Sequence, residues 1–328
     1  MESFGASAPW IALALFLVGS FLMIWRLESM SAAGLEGTVL GTLVMPYCSG
    51  LGNLIFAYVL GRNGGESREV MTNCLVNNVT NMTLLIGLPA AIWGLSLVPK
   101  KSAKPAKGKS GPEDKQRVNR LSLLLTMLAV VFFTGAAWAL GRDGTIGFTD
   151  GLVLVGLFLF WQAFHVFEVL KSNVRQKRAF GFMFFLNVGL LLVGAYAVYV
   201  STDWLVNWVE SLHGNKFISS EHLGWLSGWL MVLPNALLAL YYAAKRRPEV
   251  VYSSQIGDGH ICIPLCIGVF ALFRPIPVPD FFQLGVWILL GAIAIHFFFI
   301  VVFGKLPRFI GALLVVAYGV FVWKGFLR

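Results

Sequence analysis

Two hydrophobic stretches of the chain carry side chains that a bilayer normally rejects. Residues 46–90 hold Asn53, Asn73, Asn77, Asn78 and Asn81, and residues 228–272 hold Asn235, Ser254, Gln255, Asp258, Gly259, His260 and Cys262. Carboxamide, hydroxyl and carboxylate oxygens are ligands for hard cations, an imidazole carries protons near neutral pH, and a thiolate selects softer metals. Polar groups at membrane depth are costly without partners, so this clustering points to a binding site or a pathway. For an isolated Asn, packing across helices at about 0.6 kcal/mol is the simpler reading. The matched placement of Asn53 and Asn235 favours a pathway role.

The elements that must position these residues are membrane helices. With 57% hydrophobic and 12% charged residues, the 328-residue chain reads as an integral membrane protein. Ten apolar segments, at 8–26, 33–61, 70–98, 120–141, 149–171, 178–200, 222–244, 250–273, 281–302 and 308–325, approach the ~20 residues needed to cross the hydrocarbon. Gly and Pro inside several of them predict broken helices. With the N-terminus outside, 18 of the 25 Lys and Arg fall in inner connections, eight of them between Lys100 and Arg120. That orientation puts both termini outside and the Lys-, Gly-, Ser- and Pro-rich loop 99–119 in the cytoplasm, in an inner or plasma membrane. The net charge of +9 is then flanking charge, and nucleic acid is not an expected partner. Cys48, Cys74, Cys262 and Cys266 all lie in predicted spans, which argues against a secreted-type disulfide framework. No Walker loop, nucleophile elbow or zinc-type His cluster occurs, so the sequence offers no residues for an ATP-driven pump or an enzyme.

The ten spans divide into halves at 1–171 and 172–328. Five is odd, so the second half enters the membrane from the opposite side, as in the inverted repeats of secondary transporters. Leu51-Gly52-Asn53 aligns with Leu233-Pro234-Asn235, 182 positions on, and Ile86-Gly87 aligns with Ile267-Gly268, 181 positions on. The slip of one residue falls in the turns Arg62-Asn63-Gly64-Gly65 and Lys245-Arg246-Arg247-Pro248.

The arrangement resembles the cation/calcium exchanger superfamily, which includes the sodium/calcium exchangers. That family has ten spans with paired alpha repeats, here at 37–90 and 224–272, each bearing a G-T-S-x-P-E segment and then G-N-x-x-G-S-N-x-x-N/D. The second segments read Asn73-Cys74-Leu75-Val76-Asn77-Asn78-Val79-Thr80-Asn81 and Ser254-Gln255-Ile256-Gly257-Asp258-Gly259-His260-Ile261-Cys262. The resemblance implies an all-α fold of ten transmembrane helices in two inverted five-helix repeats, alternating access by movement of spans one and six, and no cofactor beyond a transported cation. It also implies that Asn53 and Asn235 stand where the family places its cation-coordinating glutamates. An amide keeps a carbonyl oxygen for the ion but loses a unit of charge and adds an NH2 that a cation repels. Calcium takes roughly six to eight oxygens, several of them charged. Tight calcium binding is therefore not expected.

The expected cation-binding set is Asn53, Asn77, Asn81, Asn235 and Asp258, with Ser49, Asn73, Asn78, Ser254, Gln255, His260 and Cys262 as a secondary set along the pathway. The expected function is cation antiport with altered selectivity, coupled to Na+ or H+; K+ and Ca2+ remain open as the cargo. Two alternatives stand beside it: an exchanger-like sensor or assembly partner that moves no ion, and a transporter of a neutral or zwitterionic solute.

Overall fold

The computed structural model describes residues 7–32, 45–97, 112–173, 182–212 and 220–327. They form ten helical passes. These are α1 (Ala8–Ala32), α2 (Met45–Asn63), the pair α3 (Arg68–Thr80) and α4 (Ile86–Trp93), α5 (Pro112–Leu140), α6 (Phe148–Asn173), α7 (Phe182–Ser211), α8 (Leu223–Ala244), the pair α9 (Pro248–Ile261) and α10 (Gly268–Ala271), α11 (Phe282–Phe303) and α12 (Arg308–Gly325). Among the described residues, eight passes are long and apolar enough to cross a bilayer, and Phe148–Phe164 is a shorter apolar stretch. Each predicted span overlaps one of these passes, the second over Met45–Asn63 only, and the fourth pass starts earlier than predicted, at Pro112. The first and sixth run on to Ala32 and Ser211, because helix continues past the apolar core into interfacial sequence. Residues 33–44 and 98–111 lie outside the described residues. The expected loop 99–119 ends early, because α5 begins at Pro112, a residue suited to the first helical position, with Glu113 and Asp114 in the first turn.

Burial decides which passes form the centre. About four fifths of the third and eighth passes is buried (78% and 81%), against 17% of the sixth. Polar sequence can be carried there because protein, not lipid, surrounds it.

The breaks expected from Gly and Pro are π-helical. Asn81–Leu85 joins α3 to α4, and Cys262–Ile267 joins α9 to α10. Residues 81 and 262 are also the aligned positions of the two halves. A π segment widens the turn and shifts the hydrogen-bond ladder, a feature frequent at functional sites.

The inverted symmetry extends to details that the sequence alignment does not reach. Strand β1 (Leu95–Ser96) pairs antiparallel with β4 (Lys305–Leu306), and β2 (Thr145–Ile146) with β3 (Ile276–Pro277). Each clip is extended by one bond, Leu97 N–H to Gly304 O in one and Val278 N–H to Gly144 O in the other. Gly304 and Gly144 both adopt positive φ. Gly87 packs on the Gly311 carbonyl, and Gly268 on that of Gly151. Near the pseudo-axis, Gly19 of α1 and Gly194 of α7 pack on each other's carbonyls, so these two helices meet backbone to backbone. Small residues permit that approach between membrane helices.

Candidate cation site

The candidate residues lie on α2, the two π-broken passes and α8. Asn77 and Asn81 stand one turn apart on the third pass, so they share a face. Asn81 Nδ2 donates to Asn77 Oδ1 at 3.0 Å, Asn77 Nδ2 donates to Asn53 Oδ1 at 3.4 Å, and the Cys262 thiol donates to Asn77 Oδ1 at 3.8 Å. All four residues are fully buried. One chain of polar groups thus links α2, the first π segment and the start of the second. The Nδ2 group of Asn53 has an N–H left without a partner in the protein.

In the second half, Gln255 Nε2 donates to the Asn235 backbone carbonyl at 3.3 Å and to Ser254 Oγ at 2.8 Å, while Ser254 Oγ donates to Val251 O. The Gln255 Oε1 atom is buried without a partner. Asn235 also lines a cavity of about 20 Å³ bounded by Phe16, Ser20, Gly52, Met231 and Pro234. Gly52 and Pro234 are aligned residues, so the cavity sits where the halves face each other.

The remaining predicted residues divide. Asn73 turns away from the chain and donates to Ser227 Oγ of α8 at 2.9 Å. Asn78 donates to the Cys74 carbonyl of its own helix at 2.7 Å, and its Oδ1 faces Gly259. Asp258 and His260 lie on α9 and Ser49 on α2, but their side chains lie outside the described residues. Cys74, Cys262 and Cys266 are buried and form no disulfide, and among the described residues no group of three or more His, Cys, Asp or Glu side chains is arranged to hold a metal ion.

Three features escaped the sequence reading. His296 of α11 is fully buried with Nε2 2.8 Å from the Met82 carbonyl in the first π segment. A carbonyl only accepts, so Nε2 carries the proton and Nδ1, unpartnered, is a lone pair. His296 is the sole titratable residue of α11, a signal that was available. Next, Trp229 Nε1 donates to the Tyr318 hydroxyl at 2.8 Å, and Thr80 Oγ1 lies 3.3 Å from the same oxygen, tying the third, seventh and tenth passes together. Finally, the buried carboxylate of Glu69 accepts from Gly224 N at 2.6 Å, serving as a cap for the first turn of α8 supplied by another helix.

Ten helices in two inverted halves, with central passes broken at matched positions and amides gathered at the breaks, define a secondary transporter of the inverted-repeat class. The chain belongs to the sodium/calcium exchanger protein family, which it matches over residues 8–167 and 186–325. Among solved structures, it is similar to the sodium-calcium exchanger NCX_Mj soaked with Na+ and Sr2+, with a TM-score of 0.67 at 20% identity over 98% of both chains. It is also similar to NCX_Mj in zero Na+ and Ca2+, with a TM-score of 0.68 at 20% identity over 100% of both chains. At that identity, the structural likeness speaks for the fold. Comparison with curated protein sequences gives no match. Membership makes the chain an integral membrane protein of the cation-exchanger class, with the bilayer around it and small cations as its class of substrate.

Proposed function

We propose that this protein is a cation antiporter whose site, with amides at both glutamate positions, takes a weakly charged load: one monovalent cation or one proton, not tightly held calcium. The observation that carries the proposal is the chain Asn53–Asn77–Asn81–Cys262 at the paired π breaks, where every linked group is neutral. A divalent ion placed among neutral amides in a low-dielectric interior keeps much of its charge uncompensated, a penalty of several kcal/mol. Asp258, on the α9 helix four residues before the second break, is proposed as the carboxylate that sets the load at one charge, and coupling to Na+ or H+ follows from it. The orientation proposed is the one set by positive charge, with both termini outside and the basic connection 99–119, including the first turns of α5, in the cytoplasm.

The test is cation-driven flux in proteoliposomes across Na+, K+, H+ and Ca2+ gradients, for wild type, Asp258→Asn and the double variant Asn53→Glu/Asn235→Glu. Wild type should exchange a monovalent cation or proton with little Ca2+ dependence, Asp258→Asn should lose most of that flux, and the double variant should gain Ca2+ dependence. Equal rates for wild type and Asp258→Asn would remove Asp258 from the mechanism.

One observation favours a non-transporting role: Asn77 is held by two amides and a thiol, as a structural lock would be. Absence of both flux and cation-dependent thermal stabilisation across Na+, K+, Ca2+, Mg2+ and Mn2+ would decide for it. The neutral-solute reading has less support, since a cavity of about 20 Å³ beside Asn235 holds little more than one water.

A further inference from the structure

The same helix cap is built twice, once in each alpha repeat. At the end of α2, Gly65 N–H returns to Leu60 O and Gly64 N–H to Gly61 O, with Gly64 at φ 75°. At the end of α8, Arg247 N–H returns to Tyr242 O and Arg246 N–H to Ala243 O, with Arg246 at φ 57°. This is the Schellman motif, whose left-handed position suits glycine because it has no Cβ to clash. Gly64 obeys that preference. Arg246, at the aligned position, is the one non-glycine residue with positive φ among those described. An unfavourable backbone kept at one of two equivalent caps directs attention to what the side chains there do.

What lies beside that cap is an apolar groove of about 570 Å³ between α1 and α8, lined by Val18, Leu22 and Trp25 on one wall and Leu238, Tyr241 and Tyr242 on the other. Its aromatic end is rimmed by cations. The Lys245 ammonium lies 5.7 Å from the Tyr241 ring centre and the Arg247 guanidinium 5.3 Å from that of Tyr242. Lys245, Arg246 and Arg247 are all exposed. Glu249, 3.4 Å from Arg247, is the acid beside them, while Arg26 is turned inward over Trp25 and donates to Asn187. An apolar slot open to the bilayer and ending in three consecutive cations complements a molecule with an acyl chain and a negative headgroup.

We propose that this groove is a binding site for an anionic phospholipid, with an acyl chain between Leu22 and Leu238 and the phosphate at Lys245, Arg246 and Arg247. The cation-exchange reading is not needed for it, because the site lies outside the amide chain and its assay reads lipid retention. A lipid held there wedges α1 against α8. Ile24 lines both the groove and the small cavity that Asn235 also lines, so occupancy is positioned to bias movement of α1 past that cavity.

The experiment is native mass spectrometry of the full chain released from nanodiscs of phosphatidylcholine mixed with phosphatidylglycerol, with melting temperature recorded for each variant. Wild type should retain phosphatidylglycerol preferentially, by roughly fivefold for each basic side chain near the surface and less for Arg247, which shares its charge with Glu249. The variant Arg246→Gly should lower that preference severalfold while keeping or raising the melting temperature, since glycine fits the cap. The combination Lys245→Gln/Arg246→Gly/Arg247→Gln should abolish the preference. The decisive variant is Leu238→Trp, which keeps every charge but fills the groove and should lose retained lipid. Retention in Leu238→Trp equal to wild type would mean that a basic surface, not a groove, attracts lipid, and would overturn the site. So would equal retention of the two lipids by wild type, or displacement of the lipid by inorganic phosphate alone.

Discussion

The two π segments occupy the same position in their halves and reach it by different chemistry. In Cys262–Ile267, Pro264 withdraws an N–H from the ladder, and small or apolar side chains close around the break. At the position aligned with Pro264, the first break has Thr83, whose hydroxyl donates to Val79 O, while Thr80 donates to Val76 O one turn earlier. Hydroxyls that back-bond in this way bend helices without a proline. The first half also brings Asn73, Asn77, Asn78 and Asn81, where the second brings Gln255, Asp258, Gly259 and Cys262 at or near the matching places. Backbone symmetry has therefore been kept while side-chain chemistry has diverged. The first half lines its break with four amides, while the second brings one amide, a carboxylate, a glycine and a thiol to the matching places.

The sharpest way to break this comparison is Asn77→Leu. It strands hydrogen-bonding groups on Asn53, Asn81 and Cys262, each costing about 1–3 kcal/mol when buried unpaired, so a loss of at least ~3 kcal/mol is expected in detergent unfolding. Cys262→Ala should cost much less, since a thiol is a weak donor. Equal losses would show that the second half contributes as much polar chemistry as the first.

Next in size are the paired glycine contacts. A Cβ at Gly311 would meet Ala91 N at 2.5 Å and Gly87 O at 2.6 Å, and one at Gly151 would meet Gly268 O at 2.8 Å. Gly311→Ala and Gly151→Ala should each lose roughly 1–3 kcal/mol of unfolding free energy, with Gly311→Ala the worse. Stability unchanged in either variant would show that its half tolerates displacement. Smaller still, Thr83→Ala should cost under ~1 kcal/mol by removing one hydroxyl bond, because the widened turn has other supports. Smallest is Arg62→Gln, which opens the exposed ion pair to Asp203 and the bond to Tyr199 of α7, with a loss below that of Thr83→Ala that shrinks further with added salt.

Much of this was legible in the sequence, for a physical reason. Membrane passes announce themselves by length and hydropathy, and Asn53 with Asn235 mark the symmetric positions in the sequence alone. Asn73, Asn77 and Asn81 recur at four-residue intervals, yet Asn73 bonds across to Ser227 on α8 while the other two bond to each other. Periodicity gives the face of a helix but not which neighbour that face meets at each depth. The His296–Met82 contact and the Glu69–Gly224 cap join residues more than 150 positions apart, and no local pattern encodes such pairings. The glycine pairs belong to the same class, since an isolated Gly in an apolar span carries no mark of its partner.

The two short β clips have a consequence for how the chain is made. Strand β1 waits for β4, and β2 for β3, so each clip takes one strand from each half. The exit of the third pass cannot be stapled until the ribosome has delivered residue 306, some two hundred residues later. Until then, the newly inserted first half shows unpaired strand edges at the membrane surface, where a stray chain or a chaperone can take them. Duplication has thus left a molecule whose halves are copies but not modules: each completes the other, and synthesis from the N-terminus must hold the first half open for the second.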